Sequence, residues 1–80
     1  MRLINQKSLQ NFVDVPYDRV WLAVGNNKVT AYDGIQNVIL GKYSSHKNAV
    51  KAIEKLHTKI EQLGSITDYR IFVFPEDTEL

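Results

Sequence analysis

Few residues in this chain are of types that do chemistry, and spacing decides how far each can be taken. His46 and His57 are the plainest candidates for acid–base or metal work. They stand eleven residues apart, about 16 Å along a helix. Zinc–nitrogen bonds are near 2.0–2.1 Å, so the pair shares no metal, and both read as boundary residues between a core stripe and solvent. Nucleophilic catalysis needs a hydroxyl or thiol beside a base that a third group orients. Ser44 and Ser45 adjoin His46, but at the start of a helix a capping role accounts for both. The absence of cysteine excludes a thiolate zinc site and disulfide stapling. No GxSxG, HExxH, phosphate-loop or GxGxxG pattern occurs, and Gly25, Gly34, Gly41 and Gly64 are too scattered to cradle a phosphate. Glu54 and Glu61 fall on an outer helix face, and Asp14, Asp18, Asp33 and Asp68 fall in turns. The expectation is a non-catalytic protein with no cofactor and no metal.

Two surfaces remain as candidates for binding. Lys47, Lys51, Lys55 and Lys59 follow at steps of four, a basic stripe whose like charges cost a few tenths of a kcal/mol per pair. A solvated face ranks first for this stripe, and contact with phosphates or an acidic partner second. The other candidate is aromatic. Trp21 and Tyr32 lie on one face of an expected hairpin, with Arg19 and Arg70 as the nearby guanidinium candidates. Such a set suits a protein interface or base stacking on single-stranded nucleic acid. Equally, the N-terminal segment, residues 3–15, folds across this face and buries it.

The elements that must position these residues are read from periodicity. In residues 44–64, Ala49, Ile53, Leu56, Ile60 and Leu63 recur at steps of three and four, the stripe of an amphipathic helix. Ser44 or Ser45 begins it, and Gly64 fits the left-handed position past its end. Residues 19–24 and 28–32 flank Asn26-Asn27, which predicts a two-residue hairpin pairing Val24 with Val29, Leu22 with Ala31 and Trp21 with Tyr32. Val20, Leu22, Val24, Val29 and Ala31 then share an aliphatic face that meets the helix, and Trp21, Ala23, Thr30 and Tyr32 share the other. A short first strand is expected at residues 1–5, a polar loop at 6–11, and a turn at Pro16-Tyr17-Asp18. Asp33-Gly34 marks a further turn, followed by a strand at 38–43. The last strand, 69–74, is the most apolar and is expected at a central position. The fold class is α+β: a four- to five-stranded antiparallel sheet with one helix on one face, in the order β-β-β-β-α-β.

Eighty residues allow one domain of modest core, assigned to residues 1–75. Residues 76–80, EDTEL, carry three acids and no base. They read as an acidic, solvated C-terminal tail. Residues 1–75 hold all ten basic residues against six acids, a balance too low to favour nucleic acid strongly. No apolar run reaches the length of a membrane span, and MRLINQKSLQ carries no signal-peptide hydrophobic stretch. A cytoplasmic setting without membrane contact is expected.

The opening MRLINQ, the Pro16-Tyr17-Asp18 turn, the Tyr43-Ser44-Ser45 junction followed by Ala49-Val50, and the closing Phe72-Val73-Phe74-Pro75-Glu76-Asp77 resemble a group of short uncharacterised proteins of Firmicutes phages and mobile elements. That group typically opens MRxISQDG, carries PYE or PYD, enters its helix through YST-type junctions and closes FxFPxDEE. This chain departs from the pattern at Lys7-Ser8, where the group has Asp-Gly. The resemblance implies no activity. It implies only a setting, a small accessory protein cytoplasmic in the host cell. The leading expectation is non-catalytic binding to a host or phage protein or a copy of itself, with inhibition of a host defence component as one outcome that analogy with small phage proteins suggests. Nucleic-acid binding through the lysines or the aromatic face, and a nucleotide-signal sponge, are the alternatives.

Overall fold

The computed structural model describes residues 1–63 and 70–80, and the side chains of all of these but Leu63. Its elements follow in the order β1 (Arg2–Ile4), β2 (Asp14–Pro16), β3 (Trp21–Gly25), β4 (Lys28–Tyr32), β5 (Asn37–Lys42), α1 (His46–Leu63) and β6 (Ile71–Val73), with 3-10 turns at Tyr17–Arg19 and Asp77–Glu79. The class is α+β, as expected, but the single sheet is corrected. The described strands form two three-stranded sheets, ordered β2-β1-β6 and β3-β4-β5. The additional strand, β2, ends at Pro16 and pairs antiparallel with β1. As an edge strand it tolerates the missing N–H. β6 pairs parallel with β1, so the first sheet is mixed rather than antiparallel. The last strand is an edge and not a centre: β1 occupies the middle, and Leu3 at its midpoint is fully buried.

The hairpin forms in the expected register, with Trp21 opposite Tyr32, Leu22 opposite Ala31 and Val24 opposite Val29. Asn26 and Asn27 take φ of 51° and 61°, the double left-handed turn whose twist matches the strands it joins. At the next turn the Asp33 carboxylate accepts from the N–H groups of Ile35 and Gln36, both at 2.9 Å. These bonds hold its pKa below the usual aspartate value, the Gln36 bond contributing most. A bulge interrupts the β4–β5 pairing between Val29 and Thr30.

The aliphatic face meets the helix as predicted. Val29 and Ala31 join Ala49, Ala52 and Leu56 of α1 in the core, with Val20, Leu22, Val24, Ile53 and Ile60 packed at its margin. The helix is capped by Ser45, whose Oγ accepts from the Asn48 N–H at 3.1 Å. The expected end at Gly64, the turn after it and the core role of the Leu63 side chain lie outside the described residues.

Two segments depart from expectation where the sheets are joined. The loop expected at 6–11 begins with a buried residue: Gln6 is 2% exposed. Its backbone N–H donates to Leu40 O at 2.8 Å. Its Oε1 accepts from the Lys42 N–H at 2.7 Å, and its Nε2 donates to Lys42 O at 3.1 Å and Pro75 O at 2.9 Å. The side-chain amide thus takes the place of a strand residue beside β5. Buried Asn5 fastens the far side of the same loop, donating to Asn11 O and accepting from the Val13 N–H at 3.1 Å.

The acidic tail keeps Thr78 and Glu79 exposed but is hydrogen-bonded to the rest of the fold. Asp77 accepts from the Ser44 N–H at 3.0 Å, the Ser44 hydroxyl at 3.3 Å and the Asn48 amide at 3.0 Å. Glu76 accepts from the Ser8 hydroxyl at 2.7 Å and the Ser8 N–H at 3.2 Å. Between these and the core, Phe74 is buried and the Pro75 carbonyl also accepts from the Tyr43 hydroxyl at 2.8 Å. Burial, reinforced by the charges of Glu76 and Asp77, raises the Tyr43 phenol above the usual tyrosine range.

Candidate binding face

The outer side of the β3-β4-β5 sheet, away from α1, is the candidate site. Its geometry follows from the pleat. If Val29 and Ala31 point into the core, the alternate residues point out: Trp21 and Ala23 on β3, Thr30 and Tyr32 on β4, and their partners Ile39 and Asn37 on β5. Trp21 remains 57% exposed. Its ring stacks on Tyr32 across the strand pair, centroids 5.8 Å apart and planes 14° from parallel. Exposed Ile35 sits in the turn at the same end of the sheet. The expectation that residues 3–15 fold across this face is corrected: they supply β1 and β2 of the other sheet and leave Trp21 open.

The eight residues singled out from the sequence fall on different surfaces. Trp21 and Tyr32 form the stack, and Arg19 is exposed in the turn leading into β3. Arg70 is exposed immediately before β6, in the other sheet, where its carbonyl accepts from the Arg2 N–H at 3.0 Å. Lys47, Lys51 and Lys55 are exposed and Lys59 half-buried. All four belong to α1, which packs on the inner side of the hairpin sheet. The lysines and the aromatic stack therefore point to opposite sides of one helix-on-sheet layer.

Two of the larger concavities among the described residues border this sheet. One, of about 370 Å³, runs along β3 between strand and helix and is lined by Tyr17, Val20, Trp21, Leu22, Val24, Ile53 and His57. The other, of about 670 Å³, lies between β5 and the 8–13 loop, with Asn5, Gln10, Asn11, Asn37 and Lys42 among its polar lining and Leu9 and Ile39 among its apolar lining. Sequence reasoning missed both, because each is made by packing across long separations. Ser8, the hydroxyl lining the larger one, donates to Glu76 at 2.7 Å. Ser44 and Ser45, the nearest hydroxyls to His46 in sequence, are engaged with Asp77 and the Asn48 N–H. His46 and His57 are exposed. Among the described residues no three His, Asp or Glu side chains converge as a metal site, and no helix is long and apolar enough to cross a membrane. Against protein-family models, curated proteins and solved structures, the chain has no match.

Proposed function

We propose that this chain is a non-catalytic accessory protein that acts by binding another protein through the outer face of its β3-β4-β5 sheet. The observation that carries the reading is the Trp21–Tyr32 stack, an aromatic pair whose tryptophan stays 57% exposed on the outer side of the sheet. Tryptophan and tyrosine concentrate where proteins bind, since they bury large area at little rotamer cost. In the phage setting that the resemblance implies, the partner is a host protein inside the infected cell, and blocking a component of host defence is the effect. Nucleic-acid binding ranks second because the lysines lie on the other side of the layer, so one strand cannot use lysines and aromatics together.

The test is affinity capture from host lysate with wild type and Trp21→Ala in parallel. A hot-spot tryptophan is worth roughly 2 kcal/mol or more, so the variant should hold a discrete partner about thirtyfold more weakly. Capture of the same partner at wild-type affinity by Trp21→Ala would show that the stack is not the contact.

A further inference from the structure

The geometry points to the free edge of β3 as a pairing edge for a second copy of this chain, aligned antiparallel about a two-fold axis at Ala23. The hairpin fixes which groups are free. In a two-residue turn of this type, the flanking residues, Gly25 and Lys28, form a hydrogen-bonded pair. Alternation then directs Trp21, Ala23 and Gly25 toward β4 and leaves the N–H and C=O groups of Leu22 and Val24 facing outward.

The other edges carry features that resist pairing, and β3 does not. β2 bears Asp14, paired to Arg2 at 2.7 Å, and ends in proline. β5 is bulged, and Gln6 occupies the edge at Leu40 and Lys42. β6 is three residues long. β3 has five residues, WLAVG, with no charge, proline or bulge, the kind of edge natural proteins seldom leave open.

A second copy satisfies this edge on three counts at once. Centred on Ala23, all five residues overlap, and Leu22 and Val24 of each protomer pair with Val24 and Leu22 of the other. This makes four main-chain hydrogen bonds from the four free groups at each edge. The faces match: Leu22 and Val24 extend the inner aliphatic layer, covering the groove beside Ile53 and His57. Trp21 falls opposite Gly25 of the second copy, where no side chain obstructs the indole. Charge does not oppose the pairing: neither strand carries an ionisable group, so nothing of like sign meets at the axis. The product is a six-stranded sheet with two Trp21–Tyr32 stacks on one continuous outer face.

This inference does not depend on the protein-binding reading, and its test is separate. Native mass measurement of the full chain should give about 18 kDa, twice the 9.2 kDa of the chain. Ala23 is exposed and meets its own copy at the axis, with Cα atoms about 4.5 Å apart in such a pair. Ala23→Lys and Ala23→Glu should each be monomers with native circular dichroism, and their equimolar mixture should return to 18 kDa. Ala23→Cys should cross-link on mild oxidation, since that separation suits a disulfide. Trp21→Cys should not, because its two copies stand about 13 Å apart along the strands. A monomeric wild type at high micromolar concentration, or a dimer that persists in Ala23→Lys, overturns the inference while leaving Trp21-dependent capture of a partner untouched.

Discussion

Replacing Gln6 by leucine should cost this protein a large part of its stability, although sequence alone places Gln6 in a polar loop. The side chain accepts from the Lys42 N–H and donates to the carbonyls of Lys42 and Pro75, at 2.7, 3.1 and 2.9 Å. Leucine has similar bulk and no polar atom. The Pro75 carbonyl keeps the Tyr43 hydroxyl at 2.8 Å, so the substitution orphans two groups, the N–H and C=O of Lys42. A buried polar group left without a partner costs about 1–3 kcal/mol. The cleft beside Lys42 admits water to part of this edge, which moves the sum toward roughly 2–4 kcal/mol.

A domain of eighty residues has about 4–12 kcal/mol in all, so Gln6→Leu should remove roughly a sixth or more of it. Urea unfolding should show the midpoint falling with the slope unchanged, and Tm should drop on the order of 10–25 °C. Gln6→Glu sharpens the argument. It keeps the acceptor for the Lys42 N–H but, when ionised, turns a carboxylate toward two carbonyls. Its folded pKa must then lie above the unfolded value of about 4.3, so stability is present below that value and lost as pH rises through the folded pKa. The variant should be weaker than Gln6→Leu at pH 7 and recover toward pH 4. If Gln6→Leu unfolds within about 0.5 kcal/mol of wild type, the surface-substitution range, Gln6 is not the joint between the sheets.

Gly41→Ala should destabilise by about 1–3 kcal/mol as an overpacked site. An added Cβ would lie 2.6 Å from Tyr43 Cε2 and 2.7 Å from its hydroxyl oxygen, and the cost should shrink in a Tyr43→Ala background, a double-mutant cycle read by urea midpoints. Asp77 has a folded pKa below the usual aspartate value, held there chiefly by Asn48 and then by the Ser44 N–H. Its contribution is therefore complete above pH 3.8 and lost as pH falls through the folded value. In Asp77→Asn the acid limb of the Tm–pH profile should flatten, and an unchanged limb would show that the tail does not hold the helix start.

The hairpin and the helix were legible because their signals are local. Asn26-Asn27 selects the turn, the turn selects the register, and the register assigns Trp21 and Tyr32 to the face opposite Val29 and Ala31. Ala49, Leu56 and their neighbours declare a stripe by spacing alone. The first sheet was not legible in this way. It joins residues 2–4 to residues 14–16 and 71–73, and no turn motif in the sequence selects a parallel pairing over nearly seventy positions. Its three-residue strands are also too short to show alternation. Gln6 was illegible for a different reason: an amide buried as a surrogate backbone has the same letter as an amide in water.

The acidic tail is the case where a second signal was present beside its net charge. Charge taken per segment makes residues 76–80 a solvated end. Charge taken per helix raises a different question, because α1 has no acid in its first turn and a helix N-terminus attracts negative charge. Asp77 supplies that charge from thirty residues downstream, bonded to the Ser44 N–H and to Asn48 at the helix start, while Glu76 ties Ser8. The tail therefore joins the loop after β1 to the start of α1, on the side of the molecule where Gln6 and Tyr43 hold Pro75. The joint between the sheets and the cap of the helix are one structure, and it secures the side of the β3-β4-β5 sheet on which β5 lies. The strand at the opposite edge, β3, carries Trp21 and, among the described residues, receives no such bonds at its outer edge. The contrast between a β5 edge tied down by main-chain, amide and carboxylate bonds and an edge strand WLAVG with none is what the proposed pairing at β3 rests on.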